Sequence, residues 1–157
     1  MAFVYSYLFW FAVITPASLA IYFATGSWLH WLNGKRQDRR IQRRKGEHRI
    51  AKDIKSSVVE LIVSTAVLSL GLAARDMGWV VMTPLSGVIA TVVSFGLLLL
   101  AYDAWFYWTH RLLHVKFMYR FHAPHHAAVA PTAWSNDAGS SVDTIIAQGF
   151  FALACVL

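Results

Sequence analysis

Residues 103–126 read DAWFYWTHRLLHVKFMYRFHAPHH, and five of the chain's seven histidines stand in this stretch. His110 and His114 are four residues apart, so on a helix they share a face. Two imidazoles placed this way can bind one metal ion. In the second cluster His125 and His126 follow His122 by three and four residues, so on a helix either can share its face. Pro124 argues against a continuous helix there and predicts a turn or a helix start. Asp103 lies seven residues before His110, near the same face two turns earlier. Two roles suit it. It could accept a hydrogen bond from a ligand imidazole and fix its tautomer, or it could be an interfacial acid marking the end of a span.

Working outward from this stretch, the residues before it are apolar. From about Val80 to Ala101 there is no charge, with Pro84 near the start, and the next charged residue is Asp103. That length predicts a membrane-spanning helix, with the His110/His114 pair on its continuation. A second span is expected from about Ser56 to Ala74, with Glu60 near one end. Arg75, Asp76 and Gly78 make a short turn between these two. The first 34 residues contain no Asp, Glu, Lys or Arg, and Phe3 to Phe23 supplies a first span that Pro16 is expected to kink. Trp28 and Trp31 then fall where an interfacial aromatic belt belongs.

Composition agrees with this layout. The chain is 57% hydrophobic and 14% charged, whereas soluble domains carry about 25% charged residues. Ten of the fourteen Lys and Arg residues lie between Lys35 and Lys55. Flanked by apolar spans, such a run is a cytoplasmic loop obeying the positive-inside rule. It is not a nucleic-acid surface, since no aromatic stacking residue interrupts it. Basic residues follow the first apolar stretch, the reverse of a signal peptide. An outside N-terminus and three crossings then return the chain to the cytoplasmic side at Asp103. Residues 144–157 are apolar but too few to cross a bilayer as a helix, and the chain is expected to be the front part of a longer protein. Cys155 is the single cysteine, so no disulfide can form within the chain.

The metal-binding chemistry is constrained by what accompanies the histidines. Imidazole suits iron, zinc, copper and nickel. A hydrolytic zinc site usually brings a carboxylate, as in His-Glu-x-x-His, but Arg111, Leu112 and Leu113 separate His110 from His114. Five imidazoles exceed the three protein ligands usual for one catalytic zinc. They are too few for two six-coordinate metals, so a binuclear centre completed by residues beyond Leu157 fits the count. Single histidines at a membrane edge are usually structural, and His30 and His48, each standing alone, are read as non-ligands. Five within positions 110–126 are not explained that way.

At these residues the sequence resembles the fatty acid hydroxylase and sterol desaturase superfamily. Asp103 to His126 matches a His-x3-His box followed by a His-x2-His-His box, with Tyr107-Trp108 before the first and Tyr119-Arg120-Phe121 before the second. The resemblance implies that His110, His114, His122, His125 and His126 are metal ligands, that the metal is a pair of non-haem irons, and that dioxygen is the oxidant. The family's third His box has no counterpart, since no histidine follows His126. Asn136 to Ser141 also departs from the His-Pro-containing segment of many relatives.

The expected fold is an all-α integral membrane helical bundle with cytoplasm-facing His-box helices. Its expected parts are residues 1–55, a transmembrane helix with a basic cytoplasmic loop, and residues 56–157, a fatty acid hydroxylase-like membrane domain. The expected function is hydroxylation or desaturation of a lipid such as a sterol or fatty acid. The expected partners are the bilayer, a lipid substrate drawn from it, and an electron donor of reductase, cytochrome or ferredoxin type. Hydroxylase and desaturase begin with the same hydrogen abstraction, and the residues do not separate them. A non-catalytic metal-binding homologue without the third box is the alternative. A metal transporter would need polar residues within its spans, and Val80 to Ala101 offers only Thr, Ser, Pro and Gly.

Overall fold

A computed structural model describes residues 1–39, 45–81 and 87–157. Five α-helices follow in order: α1 Ala2–Lys35, α2 Ile50–Asp76, α3 Val88–Leu113, α4 Tyr119–His126 and α5 Ser141–Ala154. Short 3-10 turns at Gln37–Arg39 and Glu47–Arg49 lie between α1 and α2. No strand occurs among the described residues, so the chain is all-α. Pro84 and part of the basic cluster (Arg40, Arg43 and Arg44) lie outside the described residues.

Three of the helices are long and apolar enough to cross a membrane: α1, α2 with its preceding turn, and α3. Their lengths exceed the need. About 20 residues carry a helix across the hydrocarbon, and α3 has 26. A crossing that starts at Val88 therefore leaves Trp108 to Leu113, and His110 with them, beyond the apolar layer. The span starts later than hydropathy predicts. Trp79 to Val81 are not helical, and Gly87, at φ +102°, takes a conformation that other residues rarely adopt just before α3 begins. α2 is longer than predicted at its N-terminal end. It starts at Ile50, so the expected division between residues 55 and 56 falls inside this helix.

The packing follows membrane logic. The buried positions of α2 are Asp53, Ser57, Glu60, Thr65, Ser69, Gly71 and Ala73, all small or polar. In a bilayer the apolar side chains face lipid, and small residues let helices approach closely. α1 and α2 lie side by side, with Thr15 and Thr65 hydroxyls 2.8 Å apart. At the far end Ser6 and Trp10 of α1 each donate to Asp76 at 2.7 Å. α5 packs on the other side of α2, where an added Cβ on Gly71 would come within 2.6 Å of the Ala152 Cα. α3 is held chiefly by α5: Trp105 Nε1 donates to the Ile146 carbonyl at 3.0 Å, and the Tyr102 ring lies 4.9 Å from that of Phe151. The helix runs through Pro16 in α1 without ending there.

The segment between α4 and α5 is tied down by the first two helices. Tyr22 Oη (2.9 Å) and Ser57 Oγ (3.1 Å) both donate to the Trp134 carbonyl. Ser56 Oγ stands 3.2 Å from the Gly139 carbonyl and the same distance from its N–H. The Trp134 ring lies so close to α1 that a Cβ on Gly26 would come within 2.5 Å of it.

Candidate metal centre

The end of α3 and the whole of α4 form a hairpin joined at residues 114–118. Helical spacing puts His110 and His114 on one side of α3, with their Nε2 atoms 3.1 Å apart. α4 continues through Pro124, against the turn that proline predicts. One missing proline N–H costs this short helix a single backbone bond, to Arg120. The remaining turn keeps His122 and His126 four residues apart on a common face. The hairpin brings the two faces together. The His110 ring is 4.6 Å from that of His122, and the His114 ring is 5.1 Å from that of His126. Nitrogens of His110, His114, His122 and His126 all lie within 4.8 Å of one another.

His125 is set apart from this group. Its ring stacks 5.4 Å from that of His122, and it lines a neighbouring cavity of about 410 Å³ together with His110, His122, Glu60 and Asp143. His30 and His48 do not join the group of four; the His30 ring stands 6.3 Å from that of Trp134. Asp103 is exposed on α3, beside a shallow pocket it shares with His110 and Arg111. No hydrogen bond joins it to an imidazole among the described residues.

The carboxylate that does reach an imidazole is Asp143. Its Oδ2 is 2.8 Å from His122 Nδ1. Asp143 sits in the first turn of α5, and its own N–H is capped by Ser140 Oγ at 3.4 Å. Ser140 Oγ also donates to the Phe121 carbonyl, tying α4 to the start of α5. With Nδ1–H donated to Asp143, His122 presents the lone pair of Nε2 to the other rings. That Nε2 is buried, in a residue only 1% exposed, and has no hydrogen-bond partner among the described residues.

These features fit a metal ion. A metal–imidazole bond is about 2.0–2.1 Å long, so two nitrogens on one ion lie no more than ~4.2 Å apart. The 3.1 Å between His110 and His114 already meets that limit, and the 4.8 Å that bounds all four nitrogens lies close to it. The donor set is all imidazole, which suits iron and other first-row metals. Loss of hydration among the packed rings holds the His126 pKa below the ordinary imidazole range. The neighbouring His122, His114 and His125 add to this, and Asp143 partly opposes it. The neutral, ligand-competent form is favoured.

Arg49 closes the far end of the hairpin. Its Nη1 donates to the carbonyl of Ala127, the residue that caps α4, at 2.6 Å, and its Nη2 contacts Asp53 at 3.3 Å. A cation at a helix C-terminus is favoured by the unpaired carbonyls there.

All-helical architecture and three helices long and apolar enough to cross a membrane describe a membrane protein, and the hairpin of α3 and α4 gives it a four-histidine cluster that could hold a metal ion. Residues 95–157 match the family model for fatty acid hydroxylase, which supports the fatty acid hydroxylase and sterol desaturase resemblance for this segment. No curated protein and no solved structure matches the chain. The matched segment begins inside α3, so α1 and α2 lie outside it, although α2 supplies Glu60 to the cavity wall.

Proposed function

We propose that this chain forms the membrane domain of a non-haem di-iron oxygenase that hydroxylates or desaturates a lipid. The observation that carries the reading is the convergence of His110, His114, His122 and His126, with the buried Nε2 of His122 lacking a partner. His110, His114, His122, His125 and His126 would hold iron. Iron in such a site supplies the dioxygen activation that an unactivated C–H bond requires.

The chain's own residues serve the rest. Asp143 keeps the proton of His122 on Nδ1, so that Nε2 is free to bind. Tyr102, Phe106 and Leu61 give the adjoining cavity an apolar wall for a lipid chain. The His-bearing hairpin and the basic cluster share the cytoplasmic side, as the charge bias favours. There a reductase, cytochrome or ferredoxin delivers electrons while the substrate enters from the bilayer.

The experiment is iron reconstitution of the purified chain, read by iron content and Mössbauer spectroscopy. The expected result is histidine-ligated, high-spin ferrous iron that is lost in His122→Ala and His110→Ala. Unchanged iron uptake in both variants would overturn the reading.

A further inference from the structure

The cavity beside the histidines is lined unevenly. One part of its wall carries three carboxylates, Glu60, Asp137 and Asp143, and no Lys or Arg lines it among the described residues. Glu60 is 5% exposed. Among the described residues its Oε1 takes one hydrogen bond, from Ser141 Oγ at 3.3 Å, while Oε2 is buried without a partner. A buried acceptor left without a donor is costly, and an ionisable residue within a membrane helix is functional more often than not. Asp143 is engaged by His122, and Asp137 faces the Asn136 amide at 3.5 Å in a more exposed position, so Glu60 is the buried carboxylate with capacity to spare.

We propose that this cavity binds the polar end of an amphiphile whose head donates hydrogen bonds, an alcohol or an amine, with Glu60 as the acceptor. The proposal rests on the oxygenase reading for the meaning of the neighbouring histidines, and it names the substrate class of that site. An O–H or N–H donor completes the bonding of Glu60, and an ammonium also gains from all three carboxylates. A carboxylate or phosphate head meets like charge, and among the described residues the lining bases are the imidazoles of His110, His122 and His125, with no Lys or Arg to offset it. Leu61, Tyr102 and Phe106 offer the attached chain an apolar wall.

The test uses the full chain in dodecyl maltoside with radiolabelled 1-decanol, decylamine and decanoate, scored as binding in excess of protein-free micelles. Alcohol and amine are expected to bind at least about tenfold more tightly than decanoate, the scale of one hydrogen bond to a charged group. Glu60→Leu should abolish that preference. Glu60→Gln keeps the shape and an acceptor, so it should retain decanol and lose most of the decylamine. If Glu60→Leu fails to fold by circular dichroism, the decylamine-to-decanol ratio in Glu60→Gln decides. Decanoate binding as tightly as decanol, or an unchanged ratio in Glu60→Gln, overturns the proposal. Iron titration of the same samples separates the two readings. Histidine-dependent iron uptake without head-group preference removes Glu60's role alone. Failure of iron uptake removes the oxygenase reading, and the metal-free binding data still judge Glu60.

Discussion

Asp143 Oδ2 stands 2.8 Å from His122 Nδ1, although the two residues are 21 positions apart and belong to different helices. The contact turns His122 from a buried ring into one whose free nitrogen faces three other imidazoles. Changing Asp143 to Ala should therefore weaken iron binding by about 10–100-fold, the usual effect of losing such a partner. Asp143→Asn, which can still accept through its amide oxygen, should lose less. Ferrous titration of the purified variants measures both, and equal affinities in all three proteins would refute the role.

Arg49 joins the first turn before α2 to the end of α4 through the Ala127 carbonyl. Arg49→Ala should expose the amides at the end of α4 to hydrogen exchange and lower stability by about 1–3 kcal/mol. Lysine at this position can reach only one partner and should restore part of the loss. Exchange mass spectrometry of residues 119–127 reads the local effect directly.

Trp134 packs on α1 where Gly26 leaves room, and a Cβ there would meet the Trp134 ring at 2.5 Å. Gly26→Ala should destabilise the chain by about 1–3 kcal/mol through overpacking. Gly34→Ala is the control, because nothing lies within 4 Å of its added Cβ. Thermal unfolding in detergent should separate the two variants clearly.

Acid should loosen the metal-free chain. His126 has a folded pKa held below its unfolded value near 6.5. Between the two values the unfolded chain binds more protons, so stability rises with pH across that window. The contribution is whole above the unfolded value and disappears as pH falls through the lowered folded one. Replacing His126 with Gln should flatten the drop in thermal midpoint between pH 7.5 and 5.5.

The long helices and the first histidine pair were legible because both are local signals. Apolar runs announce α1, α2 and α3, and four-residue spacing announces the His110/His114 face, whereas in the second cluster spacing leaves His125 and His126 equally open and Pro124 argues against a helix. What organises the site was not local. Asp143 reads in sequence as an acid before an apolar stretch, and only the return of α5 onto α4 brings it to His122. Asp103, seven residues from His110, had the better spacing but points outward. Arg49 belongs to a run of charges that reads as loop, so its bond to Ala127 leaves no trace in composition. Proline is a strong helix breaker in general, yet at Pro124 the loss of one backbone bond does not end α4. Glu60 was visible as a charge at a span's end, but not as the wall of a cavity.

α3 carries His110 and His114, yet its apolar half has almost no protein around it in this chain. Its fixed points lie instead at the histidine end, where Trp105 bonds to the Ile146 carbonyl of α5 and the Tyr102 ring meets that of Phe151. His122 is tied to the same helix through Asp143 in the first turn of α5. Both histidine pairs therefore answer to one helix, α5, so a displacement of α5 would carry the two halves of the cluster together instead of pulling them apart.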